Sequence, residues 1–214
     1  MTDNRPDTNE ERLASKDRLA GCDHAVAQAV AALITCYERD GTLLVCGNGG
    51  SAADAEHIVG EMMKGFCLPR HLSDADKARL AAVAGDDADL LGNNLQYGLP
   101  TLSLVSHSAL ITATANDLDG RLIFAQQIWG IGRPGDVLLA ISTSGNSENI
   151  LLAAKAARAK DILVVGLTGS TGGKLAALCD ILIAVPSNNV AHIQEMHLPI
   201  YHHICASVEA HFFQ

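Results

Sequence analysis

The sequence has no long run of lysine and arginine, no CxxC pair, no internal repeat, and no apolar stretch near the ~18 residues of a membrane-spanning helix. Each absence removes a class of protein. Without clustered cations, and at a formal net charge of −9, the chain argues against a nucleic-acid surface and leaves room only for a local basic patch. Without CxxC spacing, the six cysteines (Cys22, Cys36, Cys46, Cys67, Cys179 and Cys205) read as reduced thiols, mostly within apolar runs and expected to be buried. Without an apolar leader, and with the polar start MTDNRPDTNEER, the chain is expected to be cytoplasmic and to have no membrane partner. What remains is 214 residues, 48% apolar and 18% charged, which fits a single domain over 1–214 with a core that needs no disulfides.

The order of patterns gives the architecture. Residues 1–8 read as frayed, and residues 9–39 carry Leu13, Leu19, Val26, Val30, Leu33 and Ile34 at helical spacing. This N-terminal helical segment, 1–40, either covers a sheet or pairs with another subunit. Strand patterns follow at Thr42–Val45, Thr101–Val105, Val137–Ser142, Ile162–Thr168 and Ile181–Val185, each leading through small or polar residues into a helical run. Continuous apolar strands alternating with helices predict an α/β fold, a parallel sheet covered on both faces. Residues 66–100 interrupt this rhythm. There Ser73 caps a helix running into KARLAAVA and Gly85-Asp86-Asp87 ends it, which reads as a helical insertion.

Two loops carry the chemistry. Gly47-Asn48-Gly49-Gly50-Ser51 follows one strand and opens a helix, so tight turns, free N–H groups and the helix dipole favour an anion, usually phosphate. Ser142-Thr143-Ser144-Gly145-Asn146-Ser147 follows another strand and opens the helix Glu148–Lys160. It offers four hydroxyls, one of which is expected to cap that helix while the rest serve a phosphate. Residues 47–52 lack the lysine of a Walker A loop. Gly47-x-Gly49-x-x-Ala52 loosely matches a dinucleotide fingerprint, yet the next strand ends Val105-Ser106-His107 without the acid that a nicotinamide cofactor needs. His57 and Glu61 stand four apart on one helix and face the same way. Near the C-terminus, AHIQEMHLPIYHHI supplies His192, Gln194, His197, His202 and His203. At ~100° per residue His202 lies about 80° round from Gln194 and His203 nearly opposite, and Pro199 is expected to kink the helix.

Cys46 to Ser51, the His57/Glu61 pair, Asn116-Asp117, Ile141 to Ser147 and Ile193-Gln-Glu-Met-His197 together resemble the phosphoheptose isomerases of the sugar isomerase (SIS) domain family, over nearly the whole chain outside 66–100. The resemblance implies a flavodoxin-like three-layer sandwich on a five-stranded parallel sheet, and a homotetramer with active sites at subunit contacts. It also implies conversion of sedoheptulose 7-phosphate to D-glycero-D-manno-heptose 7-phosphate in heptose and surface-polysaccharide synthesis. By position it assigns Glu61 and His202 to catalysis, and His57, Glu61, Gln194 and His202 to one divalent metal per subunit, usually zinc. Gly49, Gly50, Ser51, Ser142, Thr143, Ser144 and Ser147 match the phosphate loops, and Asn48, Asp117 and Gln194 the sugar contacts. The chemistry is coherent: a carboxylate removes the proton beside a carbonyl, a near-neutral imidazole moves the hydroxyl proton, and a cation or donor steadies the enediol oxygen. Two alternatives share the domain: a non-catalytic regulator that binds a DNA-replication initiator protein, and an isomerase of another phosphosugar. Glu61 and His202 favour the enzyme. The chain departs from many members at Ala191 and His192, and at Gly65, where an arginine often stands and Lys64 is the nearest substitute. The insertion, rich in aspartate, either borders the site, extends the tetramer or is a solvated surface helix.

Overall fold

Alternation within each strand decides which side chain enters which core. In the computed structural model, which describes residues 21–214, Leu43 and Val45 of β1 (Leu43–Cys46) point into one apolar cluster and Leu44 and Cys46 into another. β1 pairs in parallel with β2 (Thr101–Ser103) on one side and β3 (Val137–Ser142) on the other. β4 (Leu163–Thr168) and β5 (Ile181–Ala184) complete a five-stranded sheet of order β2-β1-β3-β4-β5. All pairings are parallel, as continuous apolar strands demand.

Three helices cover one face: α1 (Asp23–Tyr37), α2 (Gly50–Met62) and α8 (Val190–Phe213). The other face is covered by α6 (Ala125–Ile131) and α7 (Glu148–Arg158), which bury Ile128, Ile150, Ala153, Ala154 and Ala157. The three-layer sandwich expected from sequence is therefore present. The N-terminal helical segment is seen from Asp23, and the part of that expectation falling on residues 1–20 lies outside the described residues. Between α2 and β2 the chain makes α3 (Asp74–Ala84), a 3-10 turn (Gly85–Asp87) and α4 (Ala88–Asn94). Ser73 caps α3 by accepting from the Asp76 N–H at 3.1 Å, and the Asp76 carboxylate accepts from Tyr97 and Arg79.

One local expectation, burial of all six cysteines, fails. α8 runs unbroken through Pro199; the carbonyl that the proline leaves without an N–H belongs to exposed Glu195, where water can serve it. Cys67 is exposed, whereas Cys22, Cys36, Cys46 and Cys205 are buried and Cys179 is partly so. Burial pushes the Cys46 thiol up to about 12, which makes it inert at neutral pH. Among the described residues no helix is long and apolar enough to cross a membrane.

His197 of α8 has no exposed surface, and burial pushes its pKa down to about 4 against a smaller opposing attraction to the Thr168 backbone carbonyl. An unfolded histidine, near 6.5, takes up its proton earlier than the folded one as pH falls. The stabilising effect is therefore full above about pH 6.5 and is lost toward pH 4, by up to about 3 kcal/mol from this residue. Urea unfolding across that window should show the decline, and His197→Phe should flatten it.

Candidate active site

The loops after β1 and β3 leave the same end of adjacent strands, at the point where strand order reverses from β1 toward β2 and β3. Open α/β sheets bind ligands at such a place. Asn48 and Asn149 exchange two amide hydrogen bonds of 2.9 Å and tie the loops together. Gly49, at φ 57°, makes the turn into α2 that a side chain would oppose. Ser51 and Ser142 are buried in the floor, Thr143 is half-buried, and Ser144 is exposed at the rim. Ser147 is the residue before α7, but its hydroxyl makes no capping bond; it accepts from Ser142 Oγ at 3.3 Å. The expectation that one hydroxyl would cap this helix is corrected: Ser147 is engaged by Ser142, and in the first turn of α7 the Asn149 side-chain oxygen accepts from the Ile150 N–H at 3.0 Å.

Asp117 is exposed in a π turn (Ala115–Asp119) that follows α5 (Ser108–Thr114), and it accepts from Asn116 at 2.7 Å. Asp119 and Glu148 both bond Arg121, which ties this turn to the first residue of α7 beside the serine loop. The Arg121 guanidinium holds the half-buried Asp119 carboxyl down at about 2.

Two turns into α2 a second group assembles. One ligand atom from each of His57, Glu61 and His202 lies within 4.8 Å of the others. His57 Nε2 is 3.0 Å from Glu61 Oε1, and the His57 and His202 rings are 5.0 Å apart. His202 Nε2 is buried and has no hydrogen-bond partner. Burial first, then the neighbouring His57, lowers the His202 pKa, with Glu61 opposing, so the ring favours its neutral form. Tyr201 connects this group to α2: its hydroxyl is 3.0 Å from His57 Nδ1 and donates to Asp54 Oδ1 at 3.3 Å. A phenol has one proton, so donating to Asp54 means accepting from His57 Nδ1–H. That tautomer leaves Nε2 as a lone pair facing a carboxylate oxygen. Two such donors and an orphaned, buried imidazole nitrogen fit a divalent cation, and two imidazoles with a carboxylate are a zinc-type donor set.

Of the four ligands nominated from sequence, the structure thus brings three together. The fourth, Gln194, reaches the same helix: a Cβ on Gly50 would stand 2.4 Å from its Nε2, so the amide rests on the start of α2. Its backbone stands about 12 Å before that of His202 along α8, at ~1.5 Å per residue. This position suits its other nominated role, at the substrate loops. Asp54, Tyr201 and Asn149 were missed from sequence. Asp54 stands three before His57 on one helical face, which is a readable signal. The Tyr201 and Asn149 contacts depend on how separate elements pack, which no spacing reveals.

This sheet order, with paired loops at its switch point, is that of a SIS domain, and the model of the SIS domain family matches residues 14–77 and 90–169. The unmatched stretch between falls in α3, the turn after it and the first residues of α4. A phosphoheptose isomerase from Rhodospirillum rubrum is 40% identical over 192 residues, covering 90% of this chain and 88% of the relative. The solved phosphoheptose isomerase from Francisella tularensis has a TM-score of 0.72 at 33% identity, covering 94% of each chain. That from Neisseria gonorrhoeae has a TM-score of 0.70 at 33% identity, covering 94% of this chain and 99% of that one. The chain belongs to the phosphoheptose isomerase family.

The close approach at Gly50 gives a direct check on the loop. Gly50→Ala must displace the Gln194 amide, so inorganic phosphate should bind about tenfold more weakly by calorimetry. Folding stability should change by no more than about 1 kcal/mol, because alanine is a good helix residue. Unchanged phosphate affinity would remove Gln194 from the anion site.

Proposed function

We propose that the protein interconverts sedoheptulose 7-phosphate and D-glycero-D-manno-heptose 7-phosphate through an enediol, as an aldose–ketose isomerase in heptose and surface-polysaccharide synthesis. The observation that carries this reading is the spacing of the two halves of the site along α2. Gly50 opens the helix at the phosphate loop and His57 follows about 10 Å along the axis at ~1.5 Å per residue. The Glu61 carboxylate reaches back to within 3.0 Å of His57. A seven-carbon chain with a terminal phosphate has a similar extended length, at roughly 1.5 Å per C–C bond. A phosphate seated at the loops therefore presents the first two carbons of such a sugar to Glu61 and His202.

In this reading Ser51, Ser142, Thr143, Ser144 and Ser147, with the N–H groups of Gly49 and Gly50, hold the phosphate. Asn48, Asp117 and Gln194 orient the sugar hydroxyls. Glu61 takes the proton from the carbon beside the carbonyl and returns it to the neighbouring carbon. His202, held neutral by burial, moves the hydroxyl proton between the two oxygens. Tyr201 and Asp54 keep the His57 ring oriented. His57, Glu61 and His202 would hold one zinc ion per subunit, with Gln194 as a further donor, and zinc would supply electrophilic stabilisation of the developing oxyanion. We further propose a cytoplasmic homotetramer, which sedimentation would reveal as four chains of 22.4 kDa.

Proton NMR of the pure protein with a panel of ketose and aldose phosphates tests the reaction. Sedoheptulose 7-phosphate should convert, and absence of turnover with that substrate would overturn the reading. Glu61→Gln should lower kcat by about a thousandfold or more while inorganic phosphate still binds. Near-normal turnover in that variant would reject Glu61 as base. After chelation, titration should return one zinc per chain, and His57→Ala or His202→Ala should each weaken uptake by at least about tenfold.

A further inference from the structure

Beneath the donor cluster lies an ion pair that the reaction does not use. Arg70 and Glu209 have no exposed side-chain surface, and Arg70 Nε meets Glu209 Oε1 at 2.8 Å. Glu209 stands on α8 about two turns beyond His202, at ~3.6 residues per turn. Its carboxylate is fully occupied: Oε1 also accepts from the Phe66 N–H at 2.8 Å, and Oε2 accepts from the N–H groups of Cys67 at 2.7 Å and Leu68 at 3.0 Å. Arg70 directs its remaining donors to the end of α2, to the carbonyl of Met62 at 2.5 Å and the carbonyl of Glu61 itself at 3.0 Å. Its guanidinium is further fixed over the Phe213 ring, 4.8 Å from the centroid.

The bonds of this pair thus reach Glu61 directly, at its backbone carbonyl, and His202 indirectly, through the residue whose ring lies against it. Carbonyls in the last turn of a helix have no partner within it, so Arg70 fixes the turn from which the Glu61 side chain projects. Glu209 folds the 66–68 loop, and that loop sets the Phe66 ring 5.4 Å from the His202 ring. Stability alone gives little reason for such a pair, because a well-packed apolar pair of the same volume commonly serves as well. What charge and a planar fork add is direction: each bond has one geometry.

We propose that Arg70 and Glu209 are positioning residues for isomerisation, holding Glu61 through the end of α2 and His202 through Phe66 in one relative geometry. This rests on the assignment of Glu61 and His202 to proton transfer. Neither Arg70 nor Glu209 is a catalytic residue, since both are sealed away from the substrate.

The test compares Arg70→Lys, Glu209→Gln and the apolar double variant Arg70→Met/Glu209→Leu with the unaltered protein. It measures melting temperature, kcat and KM for sedoheptulose 7-phosphate, competition by inorganic phosphate, and zinc affinity. The double variant should remain folded, with KM and phosphate competition within about threefold, while kcat falls and zinc binding weakens by about 10- to 100-fold. Arg70→Lys should lie between. A folded double variant that keeps both kcat and zinc affinity within about threefold would overturn the proposal. Should the double variant fail to fold, the two single variants decide by the same criteria below their melting temperatures. If the unaltered protein converts no heptose phosphate, the isomerase reading fails and the zinc titration alone judges the clamp.

Discussion

The pairing of β1 with β3 is the constraint from which the site follows. Leu43 lies opposite Val137 and Cys46 opposite Ala140, so the two chains stay in step until both leave the sheet at one end. Every residue in these two strands is buried, which makes a slip of one position costly: it would turn both apolar sets to the wrong face. Register in the core therefore fixes the separation of the glycine and serine loops, and the Asn48–Asn149 amide pair closes the small gap that remains. On the proposed reading, a phosphate seated between these loops needs no lysine, since N–H groups and helix ends supply the charge complement.

Precision at the other half of the site has a different source. α2 and α8 lie side by side, and between them polar groups meet in an otherwise apolar contact: His57 with Tyr201, Tyr201 with Asp54, Glu209 with Arg70. Each buried polar group that finds a partner excludes neighbouring registers, because a shift would leave it unpaired in a dry interior. The interface thereby has one satisfactory alignment, whereas an apolar seam alone would tolerate several.

Much of this was legible in the sequence. The strands were located to within a residue or two because their apolar runs are continuous and bounded by glycine, serine or asparagine. β2 proved shorter than its pattern, an edge strand bonded to β1 alone. The His57–Glu61 face was legible because helical spacing is local information, and the meeting with His202 came from a family resemblance. The Arg70–Glu209 pair left no signal at all, since an arginine after Pro69 and a glutamate in a final helix are ordinary surface residues until the chain is folded.

α8 delivers Gln194, His202 and Glu209 from a single helix, and its partners are distant in the chain: Tyr201 meets His57 across 144 residues, and Glu209 meets Phe66 across 143. Contacts of such separation form late, after loop-closure entropy has been met by the sheet. A chain translated only as far as β5 holds the glycine and serine loops and the His57 and Glu61 of α2, but not His202 or Tyr201. On the proposed reading, the loops that seat the phosphate and the couple that moves the proton are completed by different segments, and the couple closes only when the last helix docks.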